Sequence, residues 1–327
     1  MHRTQEFIEQ SCEAVRLDMD ALFTWDYTHD DPKLVSLYEK AKSAQWNAAT
    51  DVDWSIEVDP SQVDEIQVQG LMAMEASPFA GFDRKNFEEL AWESQAWTIS
   101  QFLHGEQGAL LATAKIVETV PDIDAKHYAA TQVMDEARHV EVYARYLSEK
   151  VERTYPINPS LDSLLHDLLA DPRWDMTYLG MQIMVESLAL AAFAFIHQTT
   201  REPLLKQITA KVMDDEARHV AFGILSLGNL YAEMPAAELA DREDFISDAA
   251  ALMRDRLLMR EVWERVGLDA DECSAVMRDH PLQQEFRRLL FSKVVPNVKR
   301  IGLLTPRVRE RFEALGILEF ESLPPSA

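Results

Sequence analysis

The hexapeptide Asp-Glu-Ala-Arg-His-Val occupies residues 135–140 and recurs at residues 215–220, 80 positions later. Each copy contains Glu-x-x-His: Glu136 with His139, and Glu216 with His219. Residues three apart on an α-helix share one face, so each pair projects from one side of its helix. Thirty residues upstream of each of these glutamates stands another, in an otherwise apolar run. Glu106 lies in HGEQGALLATA and Glu186 in MQIMVESLALAAFAF. Four helices, each giving a carboxylate and two also giving an imidazole, form the donor set of a carboxylate-bridged two-metal centre in a bundle. The bland alternative is a duplicated helical hairpin whose Glu and His pair with Arg. Against it, Glu106 and Glu186 are single charges among apolar residues, and a buried carboxylate without a cationic partner costs several kcal/mol.

Working outward, the chain reads as all-α. Its 327 residues are 47% hydrophobic with only 10 Gly, which favours one helical unit over residues 1–327. Within it, residues 1–85 read as a helical N-terminal extension, 86–235 as the four-helix bundle, and 236–327 as C-terminal helices and a tail. In the extension, EFIEQSCEAVRLDMDALF and PKLVSLYEKAKSAQW have helical periodicity, the second opened by Pro32. The stretch DVDWSIEVDPSQVDE reads as loop with a turn at Asp59-Pro60, and Trp46 and Trp54 as packing residues. Bundle helices are expected from Asn86 to about Val120, at 122–154, at 174–200 and from Pro203 to before Pro235, with a short helix at 160–170 between the halves. Further helices are expected at 239–267 and 281–294, and 306–327 reads as a loosely packed tail. Gly105 and Gly108, on either side of Glu106, point to close helix approach or space beside the metals, and His104 reads as structural.

The net charge of −24 disfavours nucleic acid or an anionic membrane as partner. The apolar run 186–196 is too short to span a bilayer, no signal core opens the chain, and Cys12 and Cys273 are too few for a disulfide framework. A cytoplasmic location is the expectation. Four Glu and two His make a hard, oxygen-rich set that suits iron or manganese over zinc or copper. The cofactor reads as two iron ions, with a manganese–iron pair equally compatible. Asp135 and Asp215 precede the metal glutamates and Arg138 and Arg218 precede the histidines, as outer partners of the site. A ligand His commonly donates its other N–H to a carboxylate, which fixes its tautomer. Gln132 and Gln182, one turn before Glu136 and Glu186, are placed to hydrogen-bond ligands or a bound oxygen species. Small and apolar neighbours, among them Ala109, Ala112, Ala189, Ala192, Leu110, Thr113, Phe193 and Gly223, suggest a pocket over the metals.

In Glu106, Glu136-Ala-Arg-His139, Glu186 and Glu216-Ala-Arg-His219, residues 86–235 resemble the ferritin-like di-iron carboxylate superfamily. That group includes the ribonucleotide reductase small subunit, multicomponent monooxygenase hydroxylases, acyl carrier protein desaturases and arylamine N-oxygenases. The resemblance implies O2 activation at a reduced metal pair. It also implies that Asp135 bonds the His219 ring and Asp215 the His139 ring, supported by Arg138 and Arg218. Tyr143, four after His139, matches the radical tyrosine of the reductase small subunit, although Glu106 stands where that group usually has Asp. Gly108 and Met181 occupy the positions of the tyrosine–valine crosslink in related oxidases. Leu190 replaces the hydroxylases' threonine, and Val212 the seventh-ligand histidine of arylamine N-oxygenases.

The resulting expectation is an O2-activating di-iron monooxygenase, desaturase or N-oxygenase acting on a small, largely apolar organic molecule. Tyr143 and Gln182 are its candidate catalytic residues, and a ferredoxin or reductase its external electron donor; a homodimer is compatible. The alternatives are a radical-generating small subunit for a larger catalytic partner, or a non-catalytic iron-binding protein.

Overall fold

The computed structural model describes residues 12–60, 65–73 and 77–326, and among these residues it is helical without a strand. The bundle consists of α3 (Arg84–Thr119), α4 (Ile123–Tyr146, prolonged by a wider turn over Leu147–Val151), α6 (Trp174–Thr199) and α7 (Pro203–Leu227). Ahead of it come α1 (Pro32–Ser43) and α2 (Glu65–Met72), and α5 (Pro159–Ala170) links the two halves. Helices α3 and α4 pack as one antiparallel pair and α6 and α7 as the other, while α1 lies across α4 and α7, the two that carry the repeated hexapeptide.

Local chemistry sets the helix starts. Asp31 caps α1 by accepting from Lys33 N and Leu34 N, with Pro32 at the first position. Asp83 and Asn86 form a reciprocal capping box on α3, and Pro121 follows its end. Asp122 caps α4 through Ala125 N, and Glu202 caps α7 through Leu204 N and Leu205 N ahead of Pro203. Buried Lys115 supplies the opposite kind of cap. Its ammonium donates to Leu168 O at 3.1 Å, Leu169 O at 3.0 Å and Asp171 O, the bare carbonyls at the end of α5. A bidentate Arg242–Asp175 pair at 2.9 and 3.0 Å pins α8 (Ala236–Asp255) to the start of α6.

Helix α6 is 26 residues long with an 18-residue window of mean hydropathy 1.8, so by length and composition it could cross a bilayer, contrary to the expectation from 186–196 alone. In the fold 72% of that window is buried inside the protein. A π-helical stretch, Leu179–Val185, interrupts its α-geometry immediately before Glu186. Such single-turn widenings re-aim side chains and recur at functional sites.

Several expectations are corrected. Residues 12–31 hold no helix, and 6–11 lie outside the described residues. This segment has five aspartates between positions 18 and 31, and aspartate is a poor helix former. It runs extended along the bundle instead, with Leu22 N donating to Glu118 O at 2.8 Å and Thr24 Oγ1 to Pro121 O at 2.7 Å. Helix α2 lies in a stretch where no helix is expected; residues 61–64 of the anticipated loop are outside the described residues. The expected helix at 239–267 breaks after Asp255 into a 3₁₀ turn, Arg256–Leu258, and resumes as α9 (Arg260–Arg265) beyond Met259, whose φ of 52° is left-handed.

The C-terminal third holds more structure than the sequence suggests. Helix α10 (Ala270–Asp279) is unanticipated, and 281–294 is two helices, α11 (Pro281–Leu289) and α12 (Phe291–Arg300). The tail is not loose: α13 (Pro306–Ala314) and the turn Leu318–Ser322 bury Val308, Phe312, Ile317 and Phe320. Of the two glycines beside Glu106, only Gly108 is at a close approach, since a Cβ there would meet Leu165 Cδ2 of α5 at 2.5 Å, while Gly105 has open space. His104 is structural, its Nε2 lying 2.9 Å from Tyr155 O.

Lys115→Met keeps the buried stem but strands the α5 carbonyls. A loss of about 2 kcal/mol is expected, read as a lower urea midpoint with unchanged slope.

Candidate metal centre

All six predicted donors converge inside the bundle. Glu106 comes from α3, Glu136 and His139 from α4, Glu186 from α6, and Glu216 and His219 from α7. Glu106 is 6% exposed and Glu186 3%, and the other four are essentially inaccessible. His139 Nδ1 lies 3.2 Å from Glu106 Oε2, 3.2 Å from Glu136 Oε2 and 3.3 Å from Glu216 Oε1. His219 Nδ1 lies 3.1 Å from Glu136 Oε1 and 3.6 Å from Glu216 Oε1. Two donor groups result, each with ligand atoms within 4.8 Å of one another: Glu106, Glu136, His139 and Glu216, and then Glu136, Glu186 and His219. Glu136 belongs to both. The ring centroids of the two histidines are 5.8 Å apart, one on either side of the shared carboxylate.

Four carboxylates and two imidazoles in this volume are electrostatically unsettled. Burial pushes Glu106 up to about 8, against the opposing pull of His139, and burial reinforced by Glu216 raises Glu186 well above the carboxylate range. Burial also works to raise Glu136, but His219 and His139 outweigh it and hold that carboxyl below its usual value. Burial would depress both rings, yet Glu106 at His139 and Glu136 at His219 raise them. Protons shared among these groups offset part of their charge. Even so, Glu136 Oε2, Glu186 Oε2, both oxygens of Glu216 and His219 Nδ1 are buried without a hydrogen-bond partner. Three of these atoms, Glu136 Oε2, Glu216 Oε1 and His219 Nδ1, have an opposing group at 3.1–3.3 Å without hydrogen-bond geometry. Glu186 Oε2 and Glu216 Oε2 cost their desolvation unless a cation takes them. Two divalent metal ions fit that set, because hard oxygen donors with one imidazole per ion suit iron or manganese.

An outer layer fixes the rings. Asp215 Oδ2 lies 3.1 Å from His139 Nε2, and Asp135 Oδ2 lies 3.3 Å from His219 Nε2, each aspartate reaching across to the other half of the repeat. With Nε2 facing an aspartate, Nδ1 of each imidazole is left toward the glutamates. Arg138 pairs with Asp135 and stands 3.6 Å from Asp215, and Arg218 pairs with Asp215. Burial works to raise Asp215, but His139, with His219 and the Trp46 N–H, outweighs it and holds that carboxyl below its ordinary range.

Two adjacent residues after α1 complete this layer. Gln45 Nε2 donates to Asp135 Oδ1 at 2.9 Å, and its Oε1 accepts from Arg138 Nη1. Trp46 Nε1 donates to Asp215 Oδ2 at 2.7 Å, and its ring lies 5.2 Å from the Arg138 guanidinium carbon. The sequence reading missed Gln45 altogether and assigned Trp46 to packing. The one available signal is a Gln-Trp pair directly after an amphipathic helix, and nothing in its spacing connects it to position 135 or 215. Trp54 does pack, donating to Ala48 O at 2.7 Å under the Arg145 guanidinium.

Gln132 Nε2 donates to Glu136 Oε1 at 3.0 Å and Glu186 Oε1 at 2.8 Å, tying the two carboxylates together. Gln182 is fully buried with both amide atoms unpartnered, and its Cβ abuts Gly223, where an added Cβ would stand 2.6 Å away. The Tyr143 hydroxyl has no hydrogen-bond partner; its ring lies in an aromatic cluster with Phe102 and Phe193, at centroid distances of 6.1 and 6.0 Å. Val212, one turn before Glu216, is fully buried. The pocket is not where the small residues suggest. Of the expected lining only Ala192 borders the larger apolar cavity, of about 600 Å³, which lies between α3 and α6 on the side covered by α2 and α11.

No curated protein matches. Among solved structures, a single-residue variant of an R2-like ligand-binding oxidase with anaerobically reconstituted Mn/Fe cofactor is 18% identical, with a TM-score of 0.48 over 80% of this chain and 94% of that one. The same oxidase with aerobically reconstituted Mn/Fe cofactor is 16% identical, with a TM-score of 0.44 over 92% and 95%. The family model described as p-aminobenzoate N-oxygenase AurF matches residues 29–302, a span that includes α1, Gln45, Trp46 and all six buried donors. The chain belongs to the p-aminobenzoate N-oxygenase AurF family.

Proposed function

We propose that the chain is an O2-dependent di-metal oxygenase that oxidises a small, largely apolar organic molecule, with N-oxygenation of an amine as the reaction its family membership favours. Glu106, Glu136, His139, Glu186, Glu216 and His219 would hold two iron ions, or a manganese–iron pair. The observation that carries this reading is the convergence of these six side chains, from four helices, on one buried volume with five unpartnered donor atoms. Bound there, the pair would supply Lewis acidity and the electrons for O2 reduction. Electrons would be restored by a separate ferredoxin or reductase.

The rest of the work falls to the protein's own residues. Asp215 and Asp135 hold the two imidazoles in one tautomer, and Gln45, Trp46, Arg138 and Arg218 hold those aspartates. Gln132 orients Glu136 and Glu186. Gln182 has a free donor and a free acceptor one turn before Glu186, which suits it to hold or pass a proton beside the site. Phe102, Tyr143 and Phe193 exclude water. Among the described residues no side chain hydrogen-bonds the Tyr143 hydroxyl, which packs beside Glu106 and His139. Family membership does not bring a seventh donor, since Val212 stands at the position where arylamine N-oxygenases are expected to carry histidine.

Protein loaded with Fe(II) should bind two ions per chain and consume O2, and Glu136→Ala should lose both properties. Iron binding without O2 uptake would refute the proposed activity. Trp46→Phe keeps the ring but removes the N–H to Asp215. It should weaken Fe(II) binding about tenfold by competition with a chelator, with the far-ultraviolet dichroism unchanged.

A further inference from the structure

The substrate can be narrowed, on the assumption that the reading above holds. The inner wall of the cavity of about 600 Å³ includes Phe102, one turn before Glu106 on α3, and Leu188, two residues after Glu186 on α6. The Phe102 ring meets Phe193 edge-on with centroids 4.6 Å apart and completes the cluster with Tyr143. Phe102 therefore borders the cavity on one side and on the other meets the Phe193–Tyr143 pair that adjoins Glu106 and His139. A cavity this size, next to the donor set and lined mainly by apolar side chains, has the volume of a small-molecule chamber.

Its charge is the informative feature. Among the described residues that line it there is no lysine, arginine or histidine. The one charged side chain is an acid, Glu285, which lies on the exposed side and pairs with Arg288 at 2.7 Å. The polar groups that α3 contributes to the wall are engaged within the protein, which leaves the Gln67 and Gln283 amides and the Thr199 hydroxyl as neutral groups on the rest of the lining. Gln95 Nε2 donates to Tyr146 Oη at 3.0 Å, Thr98 Oγ1 to Ser94 O at 2.8 Å, and Trp97 Nε1 to Glu261 Oε2 at 2.9 Å. A carboxylate entering this space would give up its water for no cation and few free donors, which is strongly unfavourable.

We propose that this cavity is the substrate chamber and that it selects an uncharged, largely apolar molecule, an arylamine in the N-oxygenation reading, while turning away carboxylates such as the 4-aminobenzoate named in the family's description. The chamber sorts substrates by the charge remote from the reacting nitrogen, because the apolar wall receives that end of the molecule.

The test is calorimetric titration of the full-length, Fe(II)-loaded protein under argon, near neutral pH, with 4-aminobenzoate and with its butyl ester. The ester should bind at least about tenfold more tightly, about 1.4 kcal/mol. Ala192→Trp, which fills the chamber, should abolish ester binding. Thr98→Lys, which adds an ammonium to the wall, should reverse the order of the two ligands. The wild-type comparison stands if a variant fails to fold. Equal affinities, tighter binding of the acid, binding of neither ligand, or ester binding that survives Ala192→Trp would overturn the proposal. Iron content measured on the same sample separates the two readings. Ester selectivity without bound iron would sink the metal centre and leave the chamber standing.

Discussion

Four glutamates packed against two histidines in a buried interior cannot all carry their natural charges without cations among them. Everything close to the site can be read as a response to that constraint. Protons absorb part of the charge, as the upward displacement of Glu106 and Glu186 and of both imidazoles indicates. They leave five donor atoms unbonded. Metal ions answer both needs at once, since each replaces protons and takes up orphaned oxygens. A bundle is well suited to this arrangement, because every backbone group of a helix is satisfied within its own helix and the interior is left to side chains.

The outer layer does for the histidines what the metals would do for the glutamates. Each aspartate of the repeated hexapeptide serves the histidine of the other copy, so the two halves of the bundle are interlocked through His139–Asp215 and His219–Asp135. Arginines from the same hexapeptides neutralise the aspartates, and α1 closes the layer with Gln45 and Trp46. The N-terminal extension is therefore part of the site: α1 lies across α4 and α7, and the two residues just beyond its C-cap reach both aspartates.

How much of this was legible follows from what is local. Apolar periodicity and the prolines at 32, 121 and 203 are short-range signals, and they located the helices that carry the site. The hexapeptide's duplication, with Glu106 and Glu186 at equal offsets, marked six positions that the fold brings together. Features set by distant contacts were illegible. Residues 6–23 are helical in pattern, but the described part of that stretch, 12–23, is extended, with Leu22 N bonded to Glu118 O of α3. The C-terminal tail looks polar at first and Pro-rich at its end, yet Val308, Phe312, Ile317 and Phe320 find a core that only the assembled helices create. The cavity was misplaced for the same reason. Small residues beside the donors close the helices together, and the open space appears where α2 and α11 fail to fill the groove between α3 and α6.

The central claim is that this volume would hold two ions, one in each of the donor groups to which Glu136 belongs. Anomalous diffraction at the iron edge from crystals of the Fe(II)-loaded protein tests it most directly. The account predicts two peaks, one beside His139 Nδ1 and the other beside His219 Nδ1, each within bonding distance of Glu136. A single peak, or iron bound only at the surface while the six side chains keep their metal-free contacts, would contradict it.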